Sequence, residues 1–448
     1  MSLLPRASTF ITRSRNPSHV LEYLTRTVPE HLHASTTQEA HSATQGPRPT
    51  VLLALGISPD DTDLAREHGA VLNDVVKELQ GWSARADVVG CITAPPSVLG
   101  SKRRRSREGE PSLLSCALAV FPPSTARAFR VEYEEDGRVR VGRWHAFGAA
   151  QKEDLGETIE GVSPDGLANK HLITFSASLT LPRAITRSRS LVNLHTSATP
   201  FLTGLPHTLF FNKRILERGC VGVALDASPS MCVRPSFPGM RRVDGKVYTV
   251  SEAQGNLVTG LSGEKPTHHF LRAARAAGAE PATSLVEDQG FAMGVVVGDM
   301  VTQMHSIVSS DPSRGTLALE EGAYIPPGKQ VAFFVRDLSA CASDAIRHLT
   351  GQSSRPTIAF ANPPYTNPFG AQFAGHGDGS AGCKDVIGDN YTVNRAASSA
   401  TLPDFDQDVT LADTFLASSE EGFSMTEGGR CRIGSAVGSM VIGSGDGK

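Results

Sequence analysis

Cysteine is sparse in this chain, with seven in 448 residues, at positions 91, 116, 220, 232, 341, 383 and 431. Their number is odd and no pair stands closer than Cys220 and Cys232, which excludes a disulfide framework and a zinc-ligand pattern and fits a reducing compartment. Long apolar runs are missing too. The longest, such as Val51 to Ile57, fall far short of the ~20 residues a membrane-crossing helix needs, so no membrane span is expected. Charge of one sign is also lacking. Forty-three basic against forty-six acidic residues leave a net charge of −3, too little to draw a polyanion, and nucleic acid is not an expected partner.

Motifs of familiar chemistry are equally scarce. No Gly-x-Ser-x-Gly elbow occurs, and although His and Asp are plentiful no motif marks a serine as their partner in a catalytic set. The adjacent His268 and His269 point to different faces of one helix and cannot act as an i, i+4 metal pair. They read as one surface and one core residue. Asp404, Asp406 and Asp408 lack the glycine and ligand order of a calcium loop. Asn362-Pro363-Pro364-Tyr365 matches the tetrapeptide with which amino-group methyltransferases grip a base. However, the glycines of Phe373 to Gly377 follow too soon and open no helix, so a Rossmann unit is not formed there. Lys102 to Arg105 has no interleaved aromatics and reads as a solvated loop. Cys91 reads as a small buried hydrophobe. No catalytic residue, cofactor or metal is therefore assigned, and the expectation is a protein that is not an enzyme.

What is present is enough apolar sequence, 40% against 20% charged, to build a core, in a chain long enough for two domains. Residues 1–47 read as a flexible leader. Arg6, Arg13 and Arg15, several Ser and Thr, and no acid before Glu22 give it a transit-peptide-like composition. The expected location is accordingly intracellular and cytoplasmic, with mitochondrial as the alternative.

From Thr50 the pattern becomes α/β (α+β). Val51 to Ile57, 87–94 and 112–121 read as buried strands, with a helix from Ser58 to Gly81 between the first two. Asp136-Gly137, Asp244-Gly245 and Gly255-Asn256 signal hairpins. Helices are predicted over Lys265 to Ala277 and Leu338 to Thr350, and strands over Phe291 to Gly298 and Gln330 to Val335. The first three strands recur in outline at 357–361, 414–421 and 433–442. That recurrence predicts two similar halves, each a strand-rich mixed sheet flanked by helices, the sheets packed together, with 375–410 as an insertion. Strand ends of the two halves would then converge near Cys91, Thr93, Asn362, Tyr365 and Glu420, which makes these five the candidate ligand-binding residues.

Gly239 to Pro266 runs from a glycine turn into a Val-Thr strand, an acidic-Gly-Asn hairpin and a short helix. It resembles the junction of FIST domains. Ile325 to Asp337 is similar to that family's C-terminal strand ending in Arg-Asp, and Val89 to Ala94 and Phe415 to Gly422 are similar to its strand ends. The resemblance implies a FIST N-terminal domain over 48–240 and a FIST C-terminal domain over 241–448. It further implies an intracellular sensory or signal-transduction protein that binds a small ligand, of amino-acid kind. The alternative it carries is a substrate-binding component of ubiquitin-dependent turnover with a protein partner, although residues 1–47 hold no F-box. An enzyme of unrecognised chemistry is the third reading.

Overall fold

The computed structural model describes residues 8–14, 17–37, 48–57, 74–96, 114–123, 125–133, 157–178, 181–196, 206–226, 232–278, 290–320, 322–337, 356–362, 409–412, 414–426, 430–433 and 436–442. Tyr365, the predicted helix over 338–350, the Asp136-Gly137 turn and the run 102–105 lie outside them. The α/β character expected of the chain is observed, as mixed sheets with a few helices.

One arrangement of four strands occurs three times among the described residues. In the first unit β2 (Thr50–Gly56) pairs parallel with β3 (Asp87–Thr93) and antiparallel with β4 (Leu114–Phe121), and β4 pairs antiparallel with β1 (Ser8–Ser14). In the second, β7 (His171–Ser176) pairs parallel with β8 (Ser190–His195) and antiparallel with β11 (Cys220–Leu225), which pairs with β5 (Ala126–Glu132). In the third, β20 (Thr357–Ala361) pairs parallel with β22 (Thr414–Ser418) and antiparallel with β25 (Val437–Val441), which pairs with β12 (Cys232–Ser236). The recurrence read from the sequence matched the first unit to the third, strand for strand. The structure adds a second unit between them, so the repeat is threefold where two halves were expected.

The units interlock by lending strands. β9 (Leu209–Phe211) lies in the chain between β8 and β11 yet pairs with β3, and β10 (Arg214–Leu216) extends that edge. β23 (Phe423–Met425) follows β22 yet pairs with β8, with β24 (Arg430–Cys431) beyond it. β21 (Val409–Ala412) pairs with β1, and β6 (Thr158–Glu160) with β5. The third unit is discontinuous, since its edge strand β12 precedes residue 241, where the second domain was expected to begin.

Between β12 and β20 the chain builds a closed antiparallel barrel from β14 (Tyr248–Gln254), β15 (Leu257–Leu261), β18 (Thr316–Leu319), β17 (Met300–Asp311), β16 (Phe291–Val297) and β19 (Gln330–Arg336), which pairs back with β14. Closure removes the exposed sheet edge. The Gly255-Asn256 hairpin joins β14 and β15 as predicted. Asp244-Gly245 does not make a hairpin. β13 (Met240–Arg242) and β14 both pair with β19, so that turn carries the chain along one neighbour instead of folding it back.

Within the span read as a flexible leader, residues 8–14 and 17–37 are built into the fold. Ser8–Ser14 is a full partner of β4, and α1 (Pro17–Thr37) buries Val20, Leu24, Val28 and Leu32. Their i, i+4 spacing is one apolar stripe, which a judgement by composition overlooks. The segment 74–82 (α2) joins α1 over the outer face of the first sheet through Val75, Leu79 and Trp82. The short helices α3 (Pro164–Ala168) and α4 (Arg183–Thr186) cover the second sheet through Leu167 and Ile185. α5 (Pro266–Ala276) packs on the barrel through Phe270, Ala273 and Ala274.

The inner faces of all three units form one core. Phe175 of β7 lies 5.6 Å from Phe360 of β20 and 6.5 Å from Phe415 of β22, ring centroid to centroid. Each such ring, fully buried, stabilises the fold by about 1.5–3 kcal/mol.

Candidate functional site

Parallel strand pairs all point their carboxyl ends the same way, and in open α/β sheets that end is where ligands are received. Here the ends of β3, β8 and β22 meet. Thr93 closes β3, Thr196 follows β8 and Ser419 follows β22, and these three side chains are buried to within 1%. Thr93 Oγ1 donates to the carbonyl of Ser418 at 2.5 Å, while the Ser419 hydroxyl donates to the carbonyl of His195. In both cases a hydroxyl of one unit binds the residue just before its counterpart in the next. Thr196 turns back to the carbonyl of Ser176 at 3.2 Å, and its oxygen lies 3.0 Å from Nδ1 of half-buried His207. Main-chain pairing of Ala94 with Ser418, and of His195 N with the Gly422 carbonyl at 3.0 Å, ties the same ends together.

The chemistry of this junction is neutral and rich in acceptors. With its proton committed to a carbonyl, the Thr93 oxygen retains lone pairs, while the Ser419 oxygen also accepts from Glu421 N at 3.1 Å. Asn362, 2% exposed at the end of β20, donates both amide hydrogens, to the carbonyls of Cys431 and Ile433 at 3.0 Å each. Among the described residues its buried Oδ1 has no hydrogen-bond partner, nor has Ser418 Oγ. Buried orphan oxygens of this kind are costly unless something answers them.

Of the five residues named from sequence, the structure brings Thr93 into contact with the strand that leads to Glu420, and sets Asn362 beside Ala361, whose carbonyl accepts from Ser419 N at 3.1 Å. Cys91 is buried on β3, two residues before Thr93 and on the same side, where burial pushes its thiol well above the ordinary cysteine range. It is core, as the sequence reading of that thiol had it. Glu420 is exposed at the turn after Ser419. Tyr365 lies outside the described residues.

Sequence reasoning missed the whole contribution of the second unit. His195 Nε2 stands 2.7 Å from Ser424 Oγ and 3.4 Å from Asn193 Nδ2, while Nδ1 is 3.0 Å from the carbonyl of Ser178. Thr174 Oγ1 donates to Asn193 Oδ1 at 2.7 Å, completing a buried polar column on the outer face of this sheet. The signal was a strand, Ser-Leu-Val-Asn-Leu-His, that carries Asn193 and His195 although both its faces are buried. Among the described residues no group of three or more His, Cys, Asp or Glu could hold a metal ion, and no helix is long and apolar enough to cross a membrane.

No family model matches the sequence. Two curated relatives do. "Uncharacterized protein Rv0628c" of Mycobacterium tuberculosis (strain ATCC 25618 / H37Rv) and "Uncharacterized protein MT0656" of the strain CDC 1551 / Oshkosh are each 25% identical over 337 residues, covering 71% of this chain and 77% of the relative. The similarity therefore runs through most of both chains.

Proposed function

We propose that this chain is an intracellular sensory or signal-transduction protein whose small ligand is received where the strand ends of its three units meet. The observation that carries the reading is the junction of Thr93, Thr196 and Ser419, three buried hydroxyls from three separate sheets, beside the orphaned oxygens of Ser418 and Asn362. A ligand contacting all three units would bind only the folded arrangement and raise its stability. The resemblance of Gly239 to Pro266 and Ile325 to Asp337 to FIST domains supports the same reading, and a ligand of amino-acid kind suits a neutral site rich in acceptors, which favours a donor such as an ammonium group.

The test is a thermal-shift screen of the full chain against amino acids and common metabolites, repeated on Thr93→Ala and Ser419→Ala. A ligand that raises the melting temperature of the parent and not of the two variants supports the site. A shift that both variants keep in full places the ligand elsewhere.

A second reading, a substrate-binding component of ubiquitin-dependent turnover, rests on Val297 and Met300. They flank the β16–β17 turn at 55% and 67% exposure, an apolar tip that a protein partner would cover. Co-purification of a stable partner lost on Met300→Glu, with no response to metabolites, would favour it.

A further inference from the structure

The carboxyl end of β8 holds an arrangement that ligand capture does not require. The carbonyl of Ser178 can only accept, so His195 Nδ1 carries the proton and Nε2 is the basic nitrogen. Ser424 Oγ, 2.7 Å away, therefore donates its hydrogen to Nε2. The orientation of Asn193 is fixed as well, because the Thr174 hydroxyl takes its Oδ1 and turns Nδ2 toward the same nitrogen at 3.4 Å, a longer and weaker contact than that of the serine. A hydroxyl on a neutral imidazole whose far nitrogen is anchored is the geometry that makes serine a nucleophile. Here a main-chain carbonyl stands where an orienting carboxylate is more usual.

The surroundings select the kind of group that could react. Phe423 and Met425 turn into the central core, so Ser424 between them faces outward with Thr174, Asn193 and His195. α3 and α4 cover Leu172 and Leu191 at the start of this face, and among the described residues Thr174, Ser176, Asn193, His195 and Ser424 are its buried polar groups toward the carboxyl end.

We propose that Ser424 is a nucleophilic serine, activated by His195, that accepts the acyl group of a small uncharged ester. As Ser424 Oγ bonds to the ester carbonyl carbon, its proton passes to His195 Nε2. The bond from that carbon to the alkoxy oxygen breaks, and the departing alcohol takes the proton from Nε2. Water then attacks the acyl carbon while Nε2 receives its proton, the bond to Ser424 breaks, and the proton returns to Ser424 Oγ. One ester and one water give one acid and one alcohol, with the chain unchanged.

The experiment treats the full chain with p-nitrophenyl acetate and, separately, with a fluorophosphonate, and locates added mass by peptide mass spectrometry. A single adduct on Ser424 is expected, absent from Ser424→Ala and formed at least ~10²-fold more slowly in His195→Gln, which keeps a hydrogen-bonding amide but no base. The parent arm needs no variant to fold. No adduct, or an adduct on any other residue, overturns the proposal, as does labelling of Ser424 whose rate survives the loss of the imidazole.

Discussion

The hydroxyl of Thr93 lies 2.5 Å from the main-chain carbonyl of Ser418, a bond between strand ends 325 residues apart. It joins the first unit to the third at the point where the second, through the His195 carbonyl, is held by Ser419. Each bond needs two sheets built from distant stretches of chain to have packed, and the pair together needs all three. Such contacts carry little of the core energy, yet they fix the angle at which the units meet.

Replacing Thr93 by Val keeps the shape of the side chain and removes the donor. The buried Ser418 carbonyl then loses this partner, and stability should fall by about 1–2 kcal/mol, measured by urea unfolding. An unchanged midpoint would show that the carbonyl is satisfied without Thr93.

Asn362 offers a sharper contrast, since its amide nitrogen donates to two carbonyls at 3.0 Å. Asn362→Ala strands both and should cost about 2–3 kcal/mol. Asn362→Asp is isosteric but sets a carboxylate oxygen against two carbonyls, so it should be the worse of the two. Equal melting temperatures for the two variants would contradict the assigned orientation.

How much of this was legible follows from burial. β2, β3 and β4 are covered on both faces and read as continuous apolar runs; the same holds for β20, which is why the first and third units could be matched and Thr93 and Asn362 placed at strand ends. β7 and β8 are also buried on both faces, but Thr174, Ser176, Asn193 and His195 break their runs. Polar residues inside a buried strand make sense only with their partners. Ser424, which His195 meets through Nε2, is 229 residues away, beyond the reach of any spacing rule. α1 was missed for a different reason, because the Arg, Ser and Thr content of the first residues outweighed the Val20, Leu24, Val28 stripe that packing obeys.

Gly422 marks the turn from β22 into β23, the strand that the third unit lends to the second. It has φ +85°, and a Cβ built there would stand 2.0 Å from the carbonyl oxygen of Cys431. Both the left-handed backbone and the main-chain clash oppose a side chain, so Gly422→Ala should cost more than ~2 kcal/mol. Thermal unfolding would show it, with Gly81→Ala, where nothing lies within 4 Å, as the tolerant control.

Alkaline pH should unfold the chain through groups that burial keeps protonated. Burial pushes the Cys220 and Cys431 thiols from 9.0 up to about 12. It does the same to Tyr248, helped by the hydrogen bond its phenol donates to Asp244 at 2.6 Å, raising that group from 10.0 to about 12. In each case the folded state holds its proton to higher pH than the unfolded state. The stabilisation is therefore complete below the unfolded values and is lost as pH rises through the folded ones, since above pH 9 the unfolded chain sheds protons that the native chain must keep. Stability measured by denaturant titration should stay level up to about pH 9 as far as these groups are concerned, then fall continuously toward pH 12. Replacing Cys220 with Ala should make that fall less steep. Thiol reagents should leave Cys220 and Cys431 untouched in the native protein at pH 8 and modify them on unfolding, because only the thiolate reacts. Rapid modification of either cysteine without loss of structure would mean that the core around it opens far more readily than its burial implies.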